Sequence, residues 1–323
     1  MSKFLTSDNP YLSRPTNAPF SFDPTSALTE RVAGYVADSL AENTRRAYLS
    51  DLAHFEGWGG CIPASDTLVA SYLAAHAETL SVATLVRRLS SISKAHAARG
   101  VLNPVRAELV RATLRGIKRR RGSAQREAKP LLKDDLFAVL DAVGDTLKDE
   151  RDRALLLIGF AGGFRRSELV GIDVREIEFV RRGAIVTVPR SKTDQLGAGR
   201  KVGIPFGRTR HCPVAALEGW IARAGLIEGP VFRPLSRHGQ VIGARLSGEA
   251  VSLIIKDRVA AARIDPAGYS GHSMRAGLAT SAAQAGVSTF KIKAQTGHAS
   301  DAMLSRYVRD GELFADNAAG ALL

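Results

Sequence analysis

At 323 residues and 45% hydrophobic, the chain is long enough for two domains with cores of their own. Lys and Arg number 45 against 32 Asp and Glu, a net charge of +13, which points to a polyanionic partner, nucleic acid before a membrane surface. No run of 18 apolar residues marks a membrane span, no basic-then-apolar leader opens the chain, and the two cysteines, Cys61 and Cys212, read as reduced and incidental in a cytoplasmic protein. Residues 1–25 are rich in Ser, Pro and Asn and are expected to be disordered.

From 26 to 118 the spacing predicts a helical domain. Its first helix covers 27–40, with Leu28, Val32, Tyr35, Val36 and Leu40 in one stripe. A second covers 44–56, with Tyr48, Leu49, Leu52 and Phe55. Ser65 opens a third and Ser81 caps a fourth, which Gly100 closes. Asn103-Pro104 is expected to start a fifth, carrying Leu109, Leu114 and Ile117. A basic linker follows over 119–130, beginning with Arg119, Arg120 and Arg121. It reads either as a solvated connection or as a strap across a phosphate backbone.

The second domain, 131–310, is predicted to be α+β. Helices are expected at 133–143, 150–162, 213–224, 248–262, 272–285, 288–296 and 300–308. Alternation in Ala184 to Val188 and in Arg200 to Ile204 predicts two strands joined by a polar hairpin loop that holds Lys192. A last helix is expected at about 311–321, within a C-terminal segment 311–323. The fold class is therefore mainly α with a small antiparallel sheet.

Three segments concentrate chemistry. They are Gly163-Phe164-Arg165-Arg166-Ser167-Glu168, His272-Ser273-Met274-Arg275, and Gly297-His298 followed nine residues later by Tyr307. Together they offer a phenolic nucleophile, guanidinium groups for a phosphate clamp at Arg165 and Arg275, and imidazoles. His272 and Arg275 stand i,i+3, on one helix face. Taken alone, Tyr307 also fits a core tyrosine beside Met303 and Leu304, and the arginines fit a solvated surface. No phosphate-cradling Gly-x-x-x-x-Gly-Lys-Ser/Thr, zinc-spaced Cys/His set or carboxylate cluster occurs, so neither metal nor nucleotide cofactor is expected.

On these motifs the chain resembles the tyrosine recombinases of the phage integrase family. The match is specific over 163–307 and weaker over 27–120, where it rests on helix number and on Glu42-Asn43-Thr44-Arg45-Arg46-Ala47-Tyr48. Arg166 departs from the family's usual apolar residue. The resemblance implies a helical core-binding domain and a catalytic domain that clamp duplex DNA. It implies that Tyr307 attacks a phosphodiester and forms a 3′-phosphotyrosine. Arg165, Arg275 and His298 would then hold the phosphate, His272 would accept the phenol proton, Lys192 would protonate the leaving 5′ oxygen, and Glu168 would orient the site. It implies DNA contacts from Thr44, Arg45, Arg46, Arg87, Arg88, Ser91 and Lys94, against the plainer reading of a solvated charged face. It also implies a tetramer on two duplexes with inverted-repeat sites, docked through 311–323, which resolves a Holliday junction. No arm-binding module precedes the helical domain, so a simple recombinase is expected. The rival readings are relaxation of supercoils in the manner of a type IB topoisomerase and a non-catalytic DNA-binding regulator.

Overall fold

The computed structural model describes residues 31, 35, 39, 41–122, 128–189, 199–298, 300, 304, 305 and 307. The chain divides into two units, Met1–Gln125 and Arg126–Leu323. Of the helix expected at 27–40, only positions 31, 35 and 39 are described, the first two as helical. Lys192 with its loop and the helix expected at 311–321 lie outside the described residues.

Unit 1 is helical: α1 (Glu42–Gly57), α2 (Asp66–Ala75), α3 (Val82–Ala98) and α4 (Glu108–Arg121). Ser65 and Ser81 cap α2 and α3 as expected, each Oγ accepting a backbone N–H at 3.1 Å, from Leu68 and Thr84. Phe55, Tyr72, Leu73, Leu85 and Ile92 are fully buried where the helices meet. Each such side chain stabilises the unit by about 1.5–3 kcal/mol on area grounds.

Three expectations for this unit need correction. Pro104 does not start the fifth helix. Asn103 Oδ1 accepts from Val105 N and caps a 3-10 turn over Pro104–Arg106, and the extended Ala107 separates that turn from α4. The shift turns Val110 into the core and leaves Leu109 46% exposed. Arg119 to Arg121 are not linker but the last turn of α4, which stops where Gly122 takes φ 73°. Arg88 and Ser91 are not on an outer face; both are buried. Position 88 falls between Leu85, Leu89 and Ile92 on the helix, and the fold tolerates a charge there because Asp51 of α1, itself buried, lies opposite.

Unit 2 is built around α6 (Leu147–Gly162), whose residues Ala154 to Ile158 are all buried. Around it run α5 (Lys133–Asp141), the short α7 (Arg166–Gly171), α8 (Pro213–Arg223), α9 (Gly248–Ala261), α10 (Ser273–Gln284) and α11 (Thr289–Thr296). α8 and α10 pack directly on α6. The sheet has three antiparallel strands in the order β1 (Ile177–Val180), β2 (Gly183–Val188), β3 (Arg200–Pro205). β2 and β3 are the expected pair, in register Val188↔Arg200 to Gly183↔Pro205. β1 is additional; a two-residue turn at Arg181-Arg182 folds it onto β2, with Val180 opposite Gly183. Beyond α11, positions 304, 305 and 307 are helical. Leu304 is buried and Tyr307 packs partly buried against Ala279, Ala283 and Ile292.

Candidate active site

Two left-handed glycines shape the site in unit 2. α6 ends at Gly163 (φ 57°), where a Cβ would lie 2.8 Å from Leu278 and 2.9 Å from the Thr296 side chain. α11 ends at Gly297 (φ 66°), where a Cβ would lie 2.9 Å from Arg200 Nε. Only glycine meets both demands, of backbone and of space. These helix ends expose carbonyls that carry partial negative charge, and two guanidinium groups use them. Arg275 Nη1 donates to Gly163 O at 2.7 Å and to Thr296 O. Arg165 Nη2 donates to Gly297 O at 3.0 Å.

The turn after Gly163 buries Phe164 and leaves Arg165 extended at the N-cap of α7. Glu168, three residues on, reaches back. Its Oε2 accepts from Arg165 N at 3.0 Å and its Oε1 from Arg165 Nη1 at 2.6 Å. Arg200 of β3 adds a bond from Nη2 to Glu168 Oε2 at 2.9 Å. Burial alone would raise the Glu168 pKa, but these bonds and the charges of Arg200 and Arg165 hold it below the usual carboxylate value. Arg275 is buried, and burial, with the like charge of Arg165, pushes its pKa down to about 10, still charged at neutral pH. Three guanidinium groups and one carboxylate leave 3 − 1 = +2 in this cluster.

His298 is buried beside them. Its Nδ1 lies 2.7 Å from Thr296 Oγ1, which itself donates to Ile292 O at 2.7 Å. A hydroxyl has one proton to give, so in this pair Nδ1–H donates and the neutral ring keeps its lone pair on Nε2. Burial and the charges of Arg275, Arg165 and Arg200 push the His298 pKa down to about 4. The ring of Tyr307 sits 5.8 Å from that of His298, inclined by 42°. Thus Arg165, Glu168, Arg275, His298 and Tyr307 come together. His272 stands exposed at the N-cap of α10, three residues from the buried Arg275. Arg166 turns away; its stem packs where a Cβ on Gly271 would lie, 2.6 Å from Arg166 Cδ. Arg200 was not singled out by the sequence. It opens a strand whose partners in the site are 32 and 95 residues distant, and no local spacing announces them.

In unit 1 the candidate DNA-facing residues divide. Arg46 and Lys94 are exposed, and Thr44 is half-buried. Arg45 pairs with Glu42 at 2.6 Å. Arg87 is exposed but grips Asp51 with two bonds, of 2.9 and 2.7 Å. Arg88 Nη1 donates to Tyr72 Oη and His54 Nδ1, both at 2.8 Å, and Ser91 Oγ donates to Asp51 Oδ2 at 2.9 Å. Arg119 and Arg120 are exposed, whereas Arg121 donates to the carbonyls of Ala77 and Leu80. No group of three or more His, Cys, Asp or Glu side chains suited to a metal ion occurs among the described residues.

The profile of the phage integrase family matches residues 129–312. An integrase/recombinase XerD homolog of Selenomonas ruminantium is 38% identical over 292 residues, covering 87% of this chain and 85% of the relative. The recombinase Cre of Escherichia phage P1 is 25% identical over 311 residues, covering 88% of each. The lambda integrase, solved as a tetramer bound to a Holliday junction, superposes with a TM-score of 0.61 at 17% identity, covering 91% of this chain and 79% of that one.

Proposed function

The chain is a tyrosine recombinase of the phage integrase family, and from that premise we propose that Tyr307 is the nucleophile of a metal-free and ATP-free DNA cleavage. The Tyr307 oxygen forms a bond to phosphorus while the bond from phosphorus to the 5′ oxygen breaks, which leaves a 3′-phosphotyrosine and a free 5′ hydroxyl. The phenol, with an ordinary pKa of about 10, gives its proton to His272. Lys192 supplies a proton to the departing 5′ oxygen. Arg165 and Arg275 hold the non-bridging oxygens, and Glu168 orients Arg165. His298 donates to the phosphate from Nε2, which requires it to take up a proton; the incoming anion favours that. The 5′ hydroxyl of a second duplex then reverses the step on a new partner.

The observation that carries this reading is that Arg165, Arg275, His298 and Tyr307 come together in a cluster whose three guanidinium groups outweigh its one carboxylate, Glu168. We further propose the natural substrate as two short inverted-repeat sites, exchanged through a Holliday junction by four protomers in the cytoplasm, on the nucleoid. Arg46, Lys94, Arg119 and Arg120 are the residues of unit 1 best disposed to meet DNA.

The test has two steps. Genomic fragments bound by the protein are selected and sequenced; an imperfect palindrome around a short spacer is expected. A nicked suicide duplex carrying that site should then trap wild-type protein covalently, and Tyr307→Phe should bind it without forming an adduct. An adduct from the variant would remove Tyr307 as nucleophile. Relaxation of supercoiled plasmid without pairing of two sites would favour a topoisomerase instead.

A further inference from the structure

We propose that Arg200 is a positioning residue for the cleavage step: by occupying Glu168 Oε2 it keeps that carboxylate from chelating Arg165, and so leaves Arg165 aimed at the phosphate. The inference rests on the recombinase reading above.

The geometry around Arg200 is that of a built support. Its Nη2 donates to Glu168 Oε2 at 2.9 Å and its Nη1 to Gln295 O at 2.9 Å. Its guanidinium carbon lies 5.9 Å from the centre of the Phe164 ring. The missing Cβ of Gly297 makes room for it. Gln295 in turn donates to Ala161 O at 2.8 Å and Gly203 O at 3.1 Å. Arg200 therefore ties β3, the end of α11 and α7 to one another at the point where Arg165 is held.

A carboxylate beside a single guanidinium settles into a two-bond fork, which is the strongest arrangement open to it. Glu168 is kept from that fork. It gives Oε1 to Arg165 Nη1, while Oε2 is taken by Arg200 and by the Arg165 backbone. Arg165 Nη2 is left to Gly297 O. Without Arg200, Oε2 would keep only the Arg165 backbone N–H, and its open lone pair would draw the Arg165 guanidinium into the fork, away from Gly297 O. A displacement of about 1 Å in a group that contacts a transition state costs about 100-fold in rate.

The experiment is a double-mutant cycle on single-turnover cleavage of the nicked suicide duplex, with full-length protein saturating the site recovered by selection. Arg200→Gln should cleave about 100-fold more slowly than wild type, with DNA affinity nearly unchanged. In a Glu168→Gln background, where no carboxylate competes for Arg165, the same change should cost no more than about twofold. Arg200→Met, which keeps the stem and removes the donors, carries the cycle if the Gln variant does not fold. Equal losses in both backgrounds, or wild-type cleavage by Arg200→Gln, would overturn the role of Arg200. These outcomes are read against the wild-type adduct at Tyr307. Its formation together with an additive cycle removes Arg200 alone; its absence removes the recombinase chemistry, and this inference with it.

Discussion

At the scale of single residues, the site's charge state is its most testable property. His298 is held neutral in the free protein, with Nδ1–H on Thr296 Oγ1 and its pKa down to about 4. Its ordinary value is about 6.5, so the fold binds this proton less well than the unfolded chain does. The resulting stability is intact above about pH 6.5 and is lost as pH falls through that value toward 4, by about 3 kcal/mol in all. Nitrogen NMR of labelled His298 should show an Nδ1-protonated ring that does not titrate above pH 5; titration near 6.5 would mean that the ring is neither buried nor crowded by cations as described. The same surroundings bear on Arg275, whose pKa they lower to about 10. A lysine there starts from a lower ordinary pKa, and the same burial and like charge would push it down toward neutrality. If Arg275 grips the phosphate as proposed, Arg275→Lys should retain some cleavage at low pH and lose it as pH rises, at a lower pH than wild type. A flat profile for the variant, parallel to wild type, would show that the charge at 275 does not matter to the reaction.

At the scale of elements, unit 1 is tied together by a polar network as well as by its apolar core. Asp51 of α1 takes two bonds from Arg87 and one from Ser91 of α3, and Arg88 reaches Tyr72 of α2 and His54 of α1. Breaking a buried pair strands its partner, which costs about 3–5 kcal/mol. Asp51→Ala should lose that much stability in chemical denaturation, and a loss under 1 kcal/mol would show that Arg87 and Arg88 solvate themselves without it. The basic end of α4 divides in the same way. Arg119→Gln and Arg120→Gln should each flatten the slope of log K against log salt by about 0.9 if each meets a phosphate. Arg121→Gln should instead destabilise the turn that follows α2, where its guanidinium holds the carbonyls of Ala77 and Leu80. Most of the helices and the strands β2 and β3 were legible in the sequence because their periodicity and caps are local, as at Ser65 and Ser81; α7, six residues long, is too short to show a stripe. The contact of Arg165 with Glu168 is equally local, the two standing three residues apart. Legibility failed where distant partners decide. Arg88 enters the core only because Asp51, 37 positions earlier, receives it, and β1 is a strand only because β2 lies alongside. Arg200 joins the site through long-range contacts alone.

At the scale of the whole molecule, a net charge of +13 explains attraction to DNA but not the pairing of two sites, since positively charged protomers repel one another. If two sites are paired as proposed, a contact between protomers has to hold the complex together. The segment 311–323, which lies outside the described residues, is the strongest sequence candidate, because Leu313, Phe314, Ala318, Leu322 and Leu323 stand there against only Glu312 and Asp316. Burying its three leucines and one phenylalanine on a neighbour would contribute about 2 kcal/mol each before ordering costs. Head-to-tail docking of that kind closes a ring of protomers on two duplexes. The competing arrangement is packing of the segment on its own domain, which would stabilise each protomer and link none. Truncation after Asp310 separates the two. Docking in trans predicts that the shortened protein keeps its thermal midpoint and its affinity for a single site, yet fails to form four-protomer, two-duplex complexes in light scattering and yields no strand exchange. Packing in cis predicts a lowered midpoint with the large complexes still present, and that result would end the proposal that this segment joins the protomers.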